Sequence, residues 1–304
     1  MILRFSHLAE NIFQNLNNEG LAKCRESGSL WQTFIDDRNY AWVRIVNIPT
    51  ILQNGWTYLH LAVRNGQIDT VEKIMKNSVE FGIDLNAKDS RLGLTAFHHT
   101  CSLGKVKIAE LFIDKLGDKY LALNIDLNSK CNIGETSFFF ACVFGHTKIA
   151  EILVKNSQNI KMELNSQTSK FLLSSPFHFA CSANHFNIVE MMIRNSDFFN
   201  FGFAAKDVDK STGFHNACSF GSKEVVDIII RNSKTFDFDL TAKDINGETG
   251  FQLAKKYGYS SIVDIIKAEK PDMDYPLIGE ASVPTTYVNI RSDIQKILRS
   301  AFFF

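Results

Sequence analysis

The chain has 304 residues, 45% of them hydrophobic, and its 33 lysine and arginine residues equal its 33 aspartate and glutamate residues. A net charge of zero argues against a surface built mainly to neutralise DNA or RNA. No apolar run reaches the roughly 18 residues of a membrane-spanning helix. We therefore expect neither nucleic acid nor a membrane among the partners.

Residues 1–50 make up the first predicted segment. It lacks the pattern of a secretory signal. The whole chain has six cysteines, which are too few for a disulfide framework. Both observations predict an intracellular protein, cytoplasmic or nuclear. Leu8, Ile12, Phe13 and Leu16 recur at the spacing of one helix face. A second apolar series predicts two more short helices: Leu21, Cys24, Leu30, Trp31, Phe34, Ile35 and Trp42. Three short helices bury a small core, so we expect them to need a partner or a neighbouring domain.

This N-terminal segment resembles an F-box, the module that docks onto the small adaptor subunit of SCF-type cullin-RING ubiquitin ligases. The resemblance implies that the adaptor and a cullin are partners. It also implies that six apolar residues contact the adaptor: Leu8, Ile12, Phe13, Leu16, Leu21 and Trp31. The alternative is a helical cap that shields the end of the domain that follows, and both interpretations can hold together.

From residue 55 to residue 269 the sequence repeats itself with periods of 37 to 41 residues. The quartet Thr57-Tyr58-Leu59-His60 returns five times, beginning at Thr95, Thr136, Ser175, Thr212 and Thr249. A small residue follows each quartet by two positions: Ala62, Thr100, Ala141, Ala180, Ala217 and Ala254. Four positions further stands a residue suited to a left-handed turn: Gly66, Gly104, Gly145, Asn184, Gly221 and Gly258. Six copies in phase predict a repeat protein.

Each repeat has the signals of two helices. Threonine or serine starts the first helix, where the hydroxyl can satisfy free backbone donors. The glycine column is predicted to be the helix C-cap, where the backbone has a positive φ. A second, amphipathic helix follows, with apolar residues such as Val71, Ile74 and Met75 on one face. One unit of this length buries too little apolar surface to fold alone, so the repeats must stack into a solenoid.

These features resemble the ankyrin repeat family over residues 55–269, with about six helix-turn-helix repeats. The resemblance implies an all-α ankyrin-repeat solenoid that binds other proteins. Beyond residue 269 the repeat pattern stops, and the prolines there predict a linker and a C-terminal tail over residues 270–304. The resemblance also implies that the quartet histidines are structural hydrogen-bonding residues: His60, His98, His178 and His215. The extra four to eight residues per repeat, including 77–81 and 232–236, are predicted to lengthen the connector after the second helix.

Three His-x-x-Cys pairs raise the question of a metal site: His98 with Cys101, His178 with Cys181 and His215 with Cys218. Since both positions are repeat columns and stacked repeats lie about 10 Å apart, neighbouring repeats could not share an ion with ligands at about 2 Å. We interpret the pairs as structural and expect no metal. No nucleophile–base pair and no phosphate-binding glycine motif is present outside the columns, so we expect neither a cofactor nor an enzyme.

By the same resemblance, the polar connectors between repeats correspond to the fingers of ankyrin proteins, and we number each finger by the repeat that follows it. Their tips vary, and a rigid scaffold suits them to binding. The predicted target contacts are Lys88, Ser90, Arg91, Asn132, Asp209, Lys210 and Asn246.

Two functions follow from this organisation. The first is the substrate receptor of a ubiquitin ligase, with the target held by the ankyrin repeats. The second is a scaffold or an inhibitor with no ligase role. Outside its complex we expect a monomer, and the target protein is unknown.

Overall fold

The structure, a computed structural model, describes residues 55–81, 83–114, 123–165, 174–236 and 238–270. The F-box-like segment at 1–50 and the tail at 271–304 lie outside the described residues. The six predicted adaptor contacts are therefore not placed by the structure.

Twelve α-helices are present in the described part of the chain, which contains no strand. A first helix of seven residues alternates with a second helix of 9 to 14 residues. The first helices of the six repeats are α1 Tyr58–Arg64, α3 Ala96–Ser102, α5 Ser137–Val143, α7 Pro176–Ser182, α9 Gly213–Ser219 and α11 Gly250–Lys256. The second helices are α2 Ile68–Phe81, α4 Val106–Asp114, α6 Thr147–Ile160, α8 Phe186–Arg194, α10 Lys223–Asn232 and α12 Ser260–Glu269. The chain is thus an all-α repeat solenoid.

The turn between the two helices of a repeat has a left-handed residue. Gly145 has a φ of 73°, and Asn184, the one non-glycine in the column, has a φ of 55°. The C-cap itself is the preceding residue, Phe144 or Ala183, so the predicted C-cap position was one residue too late. Asparagine substitutes for glycine here because its short polar side chain tolerates this backbone region.

The extra residues of repeat 1 do not lengthen a connector, as the sequence suggested, because α2 continues through them. Val71, Ile74, Met75 and Ser78 are all buried at helical spacing, and the Ser78 hydroxyl donates to the carbonyl oxygen of Met75 at 2.7 Å. The continued buried stripe keeps the chain helical. In repeat 5 the extra residues do follow the helix, since α10 ends at Asn232.

Backbone contacts divide the described residues into two compact units: residues 55–100 with those described in 107–126, and residues 101–106 with those described in 127–270. In the first unit α1 packs on α2, and Trp56, Leu59 and Phe97 are buried. In the second unit the first helices α7, α9 and α11 pack side by side, and so do α8, α10 and α12. The helix faces turned towards one another form the core of each unit.

A phenylalanine of one repeat lies against a glycine of the next within the second unit. The ring of Phe214 comes within 2.7 Å of the point where a Cβ would stand on Gly250, and Phe177 covers Gly213 in the same way. These glycines have no positive φ. Glycine is needed here because the stacked helices approach closely at the second position of the quartet.

Candidate protein-binding surface

The quartet histidines join each first helix to the finger of the next repeat. In repeat 1 the Nδ1 atom of His60 accepts from the Thr57 backbone N–H at 3.1 Å and lies 2.8 Å from the Thr57 hydroxyl. An Nδ1 that accepts leaves the ring proton on Nε2, which donates to the carbonyl oxygen of Leu94 at 3.0 Å. One neutral ring therefore caps its own helix and holds the following finger.

The same arrangement recurs in repeats 2, 4 and 5. Nε2 of His178 lies 3.1 Å from the carbonyl oxygen of Ser211, and Nε2 of His215 lies 3.2 Å from that of Glu248. In repeat 2, Nδ1 of His98 lies 2.8 Å from the Thr95 hydroxyl. These four histidines are buried, so the structure places them where hydrogen bonds are needed to satisfy the backbone.

Two repeats use other side chains at the histidine position. In repeat 3, Phe139 packs edge-on against Phe179 with ring centroids 5.1 Å apart. In repeat 6, Oε1 of Gln252 accepts from the Thr249 backbone N–H at 2.8 Å. Glutamine thus keeps the helix cap of the quartet without a ring.

Burial favours the neutral form of two quartet histidines, His60 and His215. It lowers the pKa of His60 to about 4, and repulsion from the neighbouring His99 ring adds to the effect. Burial also lowers the pKa of His215. It lowers as well the pKa of His185, which lies outside the quartets, just before α8. The neutral ring is the form whose Nδ1 can accept a hydrogen bond, so the finger contacts of His60 and His215 depend on their low pKa values.

A buried aspartate holds the turn of three fingers. Oδ1 of Asp89 accepts from the N–H groups of Leu92 and Leu94 at 3.0 and 3.2 Å, and its Oδ2 lies 3.1 Å from Nε2 of the buried His99. Burial alone would raise the pKa of Asp89, but the hydrogen bonds from His99 and the backbone bring it below its usual value. Asp207 and Asp244 each accept from two backbone N–H groups in the same way.

All the predicted target contacts except Asn132 stand on these three turns, and Asn132 stands on finger 3, where Cys131 occupies the aspartate position. Six of them are exposed: Lys88, Ser90, Arg91, Asn132, Lys210 and Asn246. Asp209 is half-buried, and its carbonyl oxygen accepts from the N–H of Ile245 at 2.7 Å. That bond brings the turns of fingers 5 and 6 together, while Lys88, Ser90 and Arg91 share finger 2 in the first unit.

The glycine column lies away from the tips, at the turns between paired helices, with φ values from 68° to 79°. Its members are Gly66, Gly104, Gly145, Gly221 and Gly258. A Cβ on Gly104 would come within 2.8 Å of the His146 ring, whose Nε2 lies 2.8 Å from the carbonyl oxygen of Ser102. All five glycines have a left-handed backbone, and Gly104, Gly145 and Gly221 are also closely packed.

Sequence reasoning missed three exposed apolar side chains. Val208 and Ile245 are 39% and 57% exposed at the tips of fingers 5 and 6. Phe198 is 73% exposed beside a cavity of ≈ 670 Å³ lined by residues 196–205 and Phe236. An aliphatic residue in an otherwise polar turn was the available signal for the first two. The cluster at 198, 199, 201 and 203 was the signal for the third.

Five cysteines are buried free thiols: Cys101, Cys131, Cys142, Cys181 and Cys218. Burial raises the pKa of Cys101, Cys142 and Cys218, so these thiols stay protonated and behave as small apolar residues. Between residues 55 and 270, where described, no group of three or more metal-ligating side chains occurs. The described helices include none that is long and apolar enough to cross a membrane.

Comparison with known proteins gives one family and one fold. The model of the family described as ankyrin repeats (3 copies) matches residues 59–166, 118–201 and 177–276. One chain in the solved complex of a predatory endopeptidase from Bdellovibrio bacteriovorus with an immunity protein is 20% identical to this chain in sequence, with a TM-score of 0.55. That match covers 69% of this chain and 96% of the other. No curated protein sequence matches the chain.

Proposed function

The chain belongs to the ankyrin repeat family, whose members bind other proteins, and we propose that it is the substrate receptor of an SCF-type ubiquitin ligase. The finger tips hold a target protein, and the helices predicted in residues 1–50 dock the ligase adaptor. The chain itself does no chemistry. It raises the effective concentration of the target near a conjugating enzyme.

The observation that supports target binding is the contrast between the base and the tip of each finger. At the base, buried groups such as His60 and Asp89 fix the backbone. At the tip, Ser90, Asn132 and Asn246 differ from repeat to repeat and are exposed. Because the backbone is fixed while the exposed side chains vary, the finger tips can bind a target specifically at little entropic cost.

The ligase role is supported by the sequence of residues 1–50. Leu8, Ile12, Phe13 and Leu16 share one helix face, and three short helices need an apolar partner to complete a core. The alternative is a scaffold or inhibitor in which these helices only cap the solenoid, as terminal repeats require.

Affinity purification with two variants tests both halves of this proposal. Ile12→Asp places a charge on the predicted adaptor face, so we expect it to lose the adaptor and the cullin and to retain the target. A double variant, Arg91→Glu with Lys210→Glu, reverses charge on one exposed tip in each unit. We expect it to lose the target and to retain the adaptor.

The matched control is Lys73→Glu, which reverses an exposed charge on α2 away from the tips and should retain every partner. Absence of adaptor and cullin from the wild-type purification leaves only the scaffold or inhibitor. Adaptor that stays bound to Ile12→Asp contradicts the predicted docking face.

A further inference from the structure

The tips of fingers 5 and 6 expose two aliphatic side chains at the same position of successive turns. Val208 follows the buried Asp207, and Ile245 follows the buried Asp244. The equivalent residues of fingers 2 and 3 are Ser90 and Asn132, which are polar. Because these two aliphatic side chains stand on turns joined by a backbone hydrogen bond, and are not an isolated exposed residue, they point to binding.

These two turns form one rigid surface, which we call the tip pair and define as residues 206–210 and 243–247. The Ile245 N–H donates to the carbonyl oxygen of Asp209 at 2.7 Å. Behind that bond, His215 Nε2 holds the carbonyl oxygen of Glu248 at 3.2 Å. A partner would therefore meet two apolar side chains whose backbones are already ordered, which limits the entropy lost on binding.

The exposed charge of the tip pair is positive. Three exposed lysines neighbour the aliphatic residues in sequence: Lys206, Lys210 and Lys243. The acids are turned inwards, since Asp207 and Asp244 are buried and cap their turns, and Asp209 is half-buried. Glu248, just beyond the pair, is bound by Lys256 at 2.9 Å.

From this complementarity we propose that the tip pair binds a partner segment in which one or two aliphatic residues are flanked by acidic residues. The aliphatic side chains pack on Val208 and Ile245, and the carboxylates face the three lysines. Hydrophobic contact then gives most of the affinity, while the lysines select an acidic segment and speed the encounter. The inference rests on the proposed function, because it gives the chemistry of the target that the finger tips hold.

Fluorescence anisotropy with the full chain and labelled peptides tests this chemistry. The probe is the peptide EEILEE, with KKILKK and EENSEE as charge-reversed and polar comparisons. We expect only EEILEE to bind, with a dissociation constant that rises at least about tenfold for Ile245→Ser and for Lys243→Glu. Raising the salt concentration should weaken binding, since it screens exposed charges.

Two matched variants separate the tip pair from general surface effects. Val79→Ser removes an aliphatic side chain that is 58% exposed on α2, and Lys267→Glu reverses an exposed charge on α12. Both should bind EEILEE within about twofold of wild type. Equal binding of KKILKK, or no binding of EEILEE at about 1 mM protein, overturns the inference. The affinity purification tests the proposed function separately. If the peptide does not bind but the tip variants still lose the captured target, only the chemistry assigned to the tip pair is wrong.

Discussion

The substitution Phe177→Ala should lower the free energy of unfolding by about 3–5 kcal/mol, the range for a buried aromatic residue replaced by alanine. Phe177 is fully buried in α7 and covers Gly213 at the start of α9. Its ring also packs against Phe203, with ring centroids 4.9 Å apart. The truncation leaves a cavity between repeats 4 and 5 that neither helix can fill. Urea unfolding followed by circular dichroism measures the loss.

The matched control is Phe198→Ala, which removes the same atoms from a side chain that is 73% exposed. We expect this control to change the free energy of unfolding by less than about 0.5 kcal/mol. Equal losses for the two variants would show that packing between repeats 4 and 5 does not stabilise the second unit.

Acid should destabilise the protein between about pH 6.5 and pH 4. In the folded chain His60 has a pKa of about 4 because burial disfavours its charged form, whereas in the unfolded chain it titrates near its usual value of about 6.5. The unfolded state therefore binds more protons as the pH falls, and stability decreases. His60 alone should cost about 2–3 kcal/mol between pH 7 and pH 4.5. Burial lowers the pKa of His185 and His215 in the same direction.

The control for acid sensitivity is His60→Gln, because glutamine already occupies this position in repeat 6, where Gln252 caps its helix without a titrating ring. Urea unfolding at pH 7 and at pH 4.5 should show a smaller difference for this variant than for wild type. A wild-type protein that is equally stable at both pH values would contradict the neutral, buried state of the quartet histidines.

The sequence was sufficient to predict the repeats because each structural requirement recurs at one column. The quartet beginning at Thr57 returns five times, and the turn residues Gly145 and Asn184 both adopt the left-handed conformation. The length of α2 was not predictable in the same way. Asn77 and Ser78 are common at helix ends, yet Ser78 is buried and the helix continues through it. Tertiary packing decided that boundary.

The candidate surface was predictable only in part. Variable polar residues between repeats indicated where the tips lie, since loops held by a rigid scaffold carry binding residues. Val208 and Ile245 face solvent because the residues before them, Asp207 and Asp244, turn inwards. The sequence pattern does not indicate which residue of a four-residue turn faces solvent. The contact between fingers 5 and 6 also comes from a backbone bond, which side-chain patterns do not encode.

Lysine footprinting of the purified target complex tests the central claim, that the finger tips hold the partner. Acetylation rates of exposed lysines are compared with and without the target. We expect slower acetylation at the tip lysines, Lys88, Lys206, Lys210 and Lys243, and unchanged rates on the second helices, at Lys73, Lys107, Lys155 and Lys267. Protection confined to the second-helix lysines, with the tips reacting as in the free protein, would contradict this claim.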